Sequence, residues 1–291
     1  MKDEFYRVIK HKSSTFEVER DGIIITAKAR GKLKRDGEIL VGDFALIEEK
    51  EDEKVISAIK KRENSLIRPA VANVDVIVLV VAPRPEIDWF LIDKMIINCK
   101  KAGIECLLCL NKTDIAKEEI DALKRQYGNE VSAIVSTSAI EGKVGELISQ
   151  IKGKLVCFAG QSAVGKSTLS NAILGENKME TGDVSEKIGR GKNTTTTATI
   201  LRSPDGFYFI DTPGFSMLDA TEEDYATLGA YYDDFVRFAD GCKFHPCTHT
   251  SEPDCAVKRA VARGEINEQR YERYLKIFEE SKENYKKRRQ K

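Results

Sequence analysis

The chain has 291 residues, 41% hydrophobic and 32% charged, with a formal net charge of zero. That composition fills cores and keeps a surface solvated, so it excludes disorder or a low-complexity fibre for most of the length, which suggests two or three domains. No apolar run approaches the roughly 18 residues of a membrane span, and the charged start MKDEFYRVIK is no secretory leader, so a cytoplasmic protein without membrane contact is expected.

Residues 1–67 read as short strands. Apolar runs at 23–25, 39–41, 44–47 and 55–59 are separated by turn signals at Asp21-Gly22, Asp36-Gly37 and Val41-Gly42-Asp43. Four or five strands in that length predict a small all-β barrel of the OB type. Arg68-Pro69 marks a boundary. Across 68–224, buried runs at 76–81, 104–110, 131–135, 155–158 and 207–210 alternate with helical stretches such as 89–101 and 118–127. This pattern predicts an α/β domain with a mostly parallel sheet. Over 225–291 strands stop. Val257, Ala260 and Val261, then Tyr271, Tyr274, Leu275 and Phe278, recur at helical spacing.

The run at 155–158 leads at once into Gly160-Gln161-Ser162-Ala163-Val164-Gly165-Lys166-Ser167, and Thr168 continues into a helical stretch. This is GxxxxGKS in a strand–loop–helix setting, a phosphate-binding loop. Its glycines let backbone N–H groups wrap a phosphate at a helix N-terminus. Lys166 is placed to reach the β- and γ-phosphates, and the Ser167 hydroxyl to ligate Mg²⁺. Further on, Asp211-Thr212-Pro213-Gly214 ends a buried strand. Asp211 suits the Mg²⁺ side of a nucleotide, and Gly214 lets a backbone N–H approach a γ-phosphate.

Asn111-Lys112-Thr113-Asp114 follows a buried strand. The Asp114 carboxylate can accept from both donors on the guanine edge, which adenine lacks, so GTP and GDP are the expected ligands. Asn111 can hold the loop, and the Lys112 stem can lie along the ring. After the next strand come Ser138 and Ala139, whose backbone N–H can reach guanine O6. These residues resemble the GTPase superfamily, but with the base-reading motifs ahead of the phosphate loop, which is a circular permutation. Gly189-Arg190-Gly191-Lys192-Asn193-Thr194-Thr195-Thr196-Thr197 reads as a switch segment, with Thr195 or Thr196 completing the Mg²⁺ shell. Phe215 stands where many GTPases carry a water-orienting glutamine, so unassisted hydrolysis is expected to be slow.

Seven cysteines occur, and three of them lie in Cys242-x4-Cys247-x-His249-x5-Cys255. Three thiolates and an imidazole in fourteen residues form a closed tetrahedral set, so one structural Zn²⁺ is expected, with His245 a possible substitute ligand. Cys99, Cys106, Cys109 and Cys157 read as core residues.

The combination of barrel, permuted GTPase and Cys₃His segment resembles the bacterial ribosome small-subunit-dependent GTPase A family across nearly the whole chain. The resemblance implies GTP hydrolysis stimulated by the small ribosomal subunit and a role in its late maturation. It also implies rRNA contacts from the barrel and the zinc region. The sequence departs from that family at Asn193, where a histidine is common. On the residues alone, Lys28, Arg30, Lys32 and Lys34 share one strand face with Arg35 beside them. The stripe suits either a phosphate track or a solvated edge, and the basic run Lys286-Lys287-Arg288-Arg289 is similarly open. The alternatives to the family function are a nucleotide-binding RNA module and a GTPase with another RNA or protein partner. A monomer is expected.

Overall fold

A computed structural model describes residues 5–30, 38–50, 53–67, 69–175, 198–211 and 225–289. Five strands come first: β1 Phe5–Lys12, β2 Thr15–Arg20, β3 Ile23–Ala29, β4 Phe44–Lys50 and β5 Glu53–Ile59. Their order is β1-β2-β3-β5-β4, and β4 pairs back onto β1, so the ring closes. Only β3 and β5 run parallel. Val8, Phe16, Val18, Ala27, Ala45 and Ile56 fill the interior. The run 39–41 is not a strand. Gly42 turns the chain at φ +96°, and a Cβ there would stand 2.0 Å from the Ala72 carbonyl oxygen. Ile39 is buried by packing, and Val41 makes a single bridge to Val71, with its carbonyl accepting from Ala72 N–H at 2.9 Å. Asp43, wholly buried, accepts from Leu40 N–H at 2.8 Å and from the Arg62 guanidinium at 2.7 and 2.9 Å.

A short hairpin, β6 Ser65–Leu66 with β7 Val71–Ala72, leads into the second sheet. There β8 Val76–Val81, β9 Glu105–Leu110, β10 Ala133–Ser136, β11 Leu155–Ala159 and β13 Tyr208–Asp211 are parallel, while β12 Thr199–Arg202 is antiparallel to β13. The order is β10-β9-β8-β11-β13-β12. β8, β9 and β11 are apolar on both faces because helices cover both. Helices α1 Trp89–Ala102 and α2 Glu119–Tyr127 contribute to one core, α3 Gly145–Ile151 and α4 Lys166–Leu174 to the other. The barrel joins this sheet through β1, where Lys10 pairs with Thr199 beyond a bulge between Val8 and Lys10. Glu19 strengthens the join. It accepts from the Tyr208 hydroxyl at 2.9 Å, and the Arg202 guanidinium lies 3.5 Å away.

The C-terminal part is a 3₁₀ turn over Tyr225–Tyr231, then α5 Asp233–Ala239, α6 Ala256–Ala262 and α7 Glu268–Arg289. Tyr232, Phe235, Val257, Tyr274 and Phe278 form its core, and Ile97 of α1 belongs to the same cluster. Among the described residues, no helix is long and apolar enough to cross a membrane.

Candidate active site and metal centre

The two loops that the sequence assigns to base and phosphate touch each other. The Asn111 amide donates to Val164 O at 3.0 Å, and Lys112 Nζ donates to Ala163 O at 2.6 Å and Arg84 O at 3.0 Å. The reason lies in the sheet. β9 and β11 both flank β8, so the loops at their C-terminal ends emerge side by side. Asn111 also ties in the third loop, since its Oδ1 accepts from the Thr137 hydroxyl at 3.1 Å and from Ala139 N–H at 3.3 Å. Thr113 donates to Thr137 O at 3.0 Å. Ser138 donates to Asp114 Oδ1 at 2.7 Å, which aims an exposed carboxylate without exhausting its lone pairs.

The phosphate loop is held from beneath. Gly160 has φ +135°, and a Cβ there would lie 2.2 Å from Val80 O, so only glycine fits. Gly165 has φ +91°, and its Cβ would meet Asn111 Nδ2 at 2.6 Å. Gly165→Ala is expected to destabilise the fold by about 1–2 kcal/mol, because a left-handed alanine pushes on the amide that joins the two loops. GTP affinity should fall by about tenfold. Thermal unfolding and nucleotide titration check this, and values equal to the unaltered chain would refute it.

Lys166 Nζ donates to Gly160 O at 2.8 Å and Gln161 O at 2.6 Å. Burial lowers its pKa, since the half-covered ammonium lacks a carboxylate partner among the described residues. A phosphate would supply that counter-charge. Ser162 and Ala163 are exposed on the loop, Val164 is buried beneath it, and Ser167 and Thr168 lie in the first turn of α4. Asp211, at the end of β13, has a buried Oδ1 with no hydrogen-bond partner among the described residues, and burial raises its pKa. An orphaned carboxylate oxygen beside a phosphate loop fits a Mg²⁺ site. Thr195, Thr196 and Gly214, with Asn193 and Phe215, lie outside the described residues.

Sequence reasoning did not find the role of Gln161. Its side chain accepts from Asp88 N–H at 3.2 Å and donates to Glu86 O at 3.2 Å, lashing the phosphate loop to the start of α1. No local signal marks these contacts, because the partners lie more than seventy residues away.

The metal ligands converge. Cys242, Cys247, His249 and Cys255 place their ligand atoms within 4.8 Å of one another. Cys242 Sγ and Cys255 Sγ are 3.9 Å apart, and His249 Nδ1 lies 3.7 and 3.5 Å from them. Tetrahedral zinc–thiolate bonds of about 2.3 Å require edges of about 3.7 Å, so the set fits the ion. The Ala256 N–H donates to Cys242 Sγ at 3.3 Å, and the Tyr271 hydroxyl fixes the His249 carbonyl at 2.8 Å. His245 is exposed and stands apart from this set.

The profile of the family described as RsgA GTPase matches residues 59–221. A protein named Small ribosomal subunit biogenesis GTPase RsgA from Caldanaerobacter subterraneus subsp. tengcongensis is 42% identical over 97% of each chain. The chain belongs to the RsgA GTPase family. A second RsgA, from Thermotoga petrophila, is 42% identical over 91% of this chain and 92% of its own. Among solved structures, YjeQ from Thermotoga maritima superposes with TM-score 0.81 and 36% identity, covering 95% of this chain and 98% of that one. YloQ, described as a circularly permuted GTPase, gives 0.80 and 28%, covering 96% and 95%. The fold of this RsgA-family chain is therefore a circularly permuted GTPase domain with an OB-like barrel and a C-terminal Cys₃His segment, and its activity is GTP hydrolysis.

The described half of the basic stripe is partly neutralised. Lys28 pairs with Glu53 at 2.5 Å, and Arg30 lies 4.0 Å from Glu48. Lys32, Lys34 and Arg35 lie outside the described residues.

Proposed function

We propose that this GTPase acts on the small ribosomal subunit and couples GTP hydrolysis to its late maturation. The observation that supports this reading is the joined pair of loops, Asn111 on Val164 O and Lys112 on Ala163 O, which sets the base motif against the phosphate-binding motif. The relatives named for small-subunit biogenesis, alike over nearly the whole chain, support the partner. Three units divide the work: a barrel over 1–67 that contacts rRNA, the GTPase unit over 68–224, and the zinc-binding helical unit over 225–291. The protein acts as a cytoplasmic monomer without membrane contact.

In this reading Asp114 accepts from the guanine edge, Asn111 and Ser138 hold that carboxylate's loop, Lys112 covers one ring face, and the Ala139 N–H donates to guanine O6. Residues 160–165 and Thr168 wrap the phosphates with backbone N–H groups, and Lys166 spans the β- and γ-phosphates. Bound Mg²⁺, held by Ser167, Asp211 and Thr195 or Thr196, supplies neutralisation of the charge that develops on the phosphate oxygens. Gly214 admits a backbone N–H to the γ-phosphate. Phe215 cannot orient the attacking water, so the missing group comes from the docked subunit. Zn²⁺, held by Cys242, Cys247, His249 and Cys255, is structural, because four protein ligands leave no open position.

The test is GTP hydrolysis with and without purified small subunits, with ATP as control. Stimulation on the order of 100-fold is expected, with ATP untouched. Equal turnover in both conditions, or equal use of ATP, would refute the reading.

A further inference from the structure

Cys109 lies on β9, two positions before Asn111, and is wholly buried. Strand register sets it beside Val135 of β10, so its thiol meets the residue that ends that strand's run, Thr137. Cys109 Sγ stands 3.2 Å from Thr137 Oγ1, and Thr137 Oγ1 stands 3.1 Å from Asn111 Oδ1. The Thr137 backbone is fixed independently. Its N–H donates to Leu110 O at 2.8 Å, and its carbonyl accepts from the Thr113 N–H at 3.1 Å and the Thr113 hydroxyl at 3.0 Å. Thr137 and Asn111 are each 1% exposed, so bulk water cannot stand in for a missing partner.

The proton positions along this chain follow from its far end. Asn111 turns its amide N–H to Val164 O at 3.0 Å and its Oδ1 to the Ala139 N–H at 3.3 Å. Oδ1 can only accept, so the Thr137 hydroxyl directs its single proton there. The hydroxyl oxygen then has only lone pairs to offer Cys109, and the thiol must be the donor. Burial pushes the Cys109 thiol up to about 12, so it holds that proton at neutral pH. A donor at 109 leaves the hydroxyl one orientation, whereas an apolar side chain there leaves a buried lone pair unmet.

We propose that Cys109 is a positioning residue for nucleotide binding: its S–H donates to Thr137, which keeps the Thr137 proton on Asn111 Oδ1 and the base loop seated against the phosphate loop. The inference rests on the assignment of 111–114 to the base and adds to it a residue that acts from inside the sheet. A loop released from this hold occupies its binding geometry for a smaller fraction of the time, and apparent affinity falls by that fraction.

The test measures GDP and GTP-analogue affinity, with thermal unfolding alongside, for Cys109→Ala, Cys109→Val, Cys109→Ser and Thr137→Val in the full chain. Cys109→Ala and Cys109→Val cannot donate and should bind about 2- to 10-fold more weakly. Cys109→Ser keeps a donor and should stay within about twofold. Packing alone predicts the opposite order, because valine fills the thiol's apolar site better than serine does. Affinity and unfolding temperature should therefore rank Val and Ser in opposite ways. Thr137→Val should weaken binding by about 5- to 100-fold, and adding Cys109→Ala to it should cost no further affinity, since no hydroxyl remains to receive the proton. A Cys109→Val chain that binds as tightly as the unaltered one, or losses that add in the double variant, overturns the role of the thiol. Unchanged affinity in Thr137→Val removes the 111–114 loop from the nucleotide site, and the thiol's role with it.

Discussion

Asp114→Asn is expected to lower GTP affinity by on the order of 10²–10⁴-fold. Each hydrogen bond to a charged group contributes about 1.5–3 kcal/mol, and the guanine edge presents two donors to this carboxylate. Among the described residues, nothing nearby replaces it. The Asn111 amide is already committed to Val164 O, and the Ser138 hydroxyl to Asp114 itself. The asparagine keeps one acceptor but turns a donor toward the guanine amino group, so a donor faces a donor. Xanthine carries a carbonyl at that position, and an amide complements it. The variant should therefore favour xanthosine triphosphate over GTP, which competitive nucleotide titration with ATP as control can measure. Retained preference for GTP would remove Asp114 from the base site.

Arg270→Met is expected to destabilise the protein by about 3–5 kcal/mol. Arg270, 1% exposed, reaches Glu130 at 2.6 Å and both Asp93 and Asp234 at 3.2 Å, with Tyr127 and Tyr232 rings at 5.4 and 4.7 Å from its guanidinium carbon. Arg273 adds a second cation to Asp93, and Lys100 reaches Glu130 at 2.5 Å. Glu130 in turn accepts from Asp233 N–H at 3.2 Å and Asp234 N–H at 3.0 Å, so it caps α5 from across the fold. Methionine has similar length and no charge, so it would leave these carboxylates buried with too few cations. Burial works to raise the Glu130 pKa, but Arg270 and Lys100 outweigh it and hold it down at about 2. A carboxyl held below its unfolded value stabilises above that value, near 4.5, and the gain disappears as pH falls toward 2. That shift corresponds to about 3 kcal/mol at neutral pH. Denaturant unfolding across pH 2–7 should show an acid limb in the unaltered chain that flattens in Arg270→Met. Equal midpoints and equal limbs would assign the network no weight.

The loops assigned to phosphate and base, which the structure brings into contact, were legible because each is local. A phosphate loop needs one strand, one glycine-rich turn and one helix start, and residues 155–174 spell all three in order. The base loop needs four residues after a strand, and Asn111 to Asp114 are those four. What escaped notice depends on distant partners. β1 carries Arg7, Lys10 and Lys12 among its apolar residues, which hides a strand. The structure explains Arg7 by stacking its guanidinium over Phe44 and Tyr208, 4.6 and 5.1 Å from the ring centroids. α3 begins with Gly145 and has no side-chain cap, so it sends no start signal. The run at 131–135 starts late as a strand, at Ala133, just after Glu130 has turned toward Arg270. The Arg270–Asp93 pair spans 177 positions, and no window of sequence contains it.

β1 links the barrel and the GTPase strands into one continuous sheet, with Phe5–Arg7 closing the barrel on β4 and Lys10 pairing with Thr199 of β12. A lone β12 would end the GTPase sheet in a row of free amides and carbonyls, the kind of border along which polypeptides clump. The barrel thus works as a stopper on that border. Cutting it away would yield a sticky fragment rather than a tidy smaller enzyme.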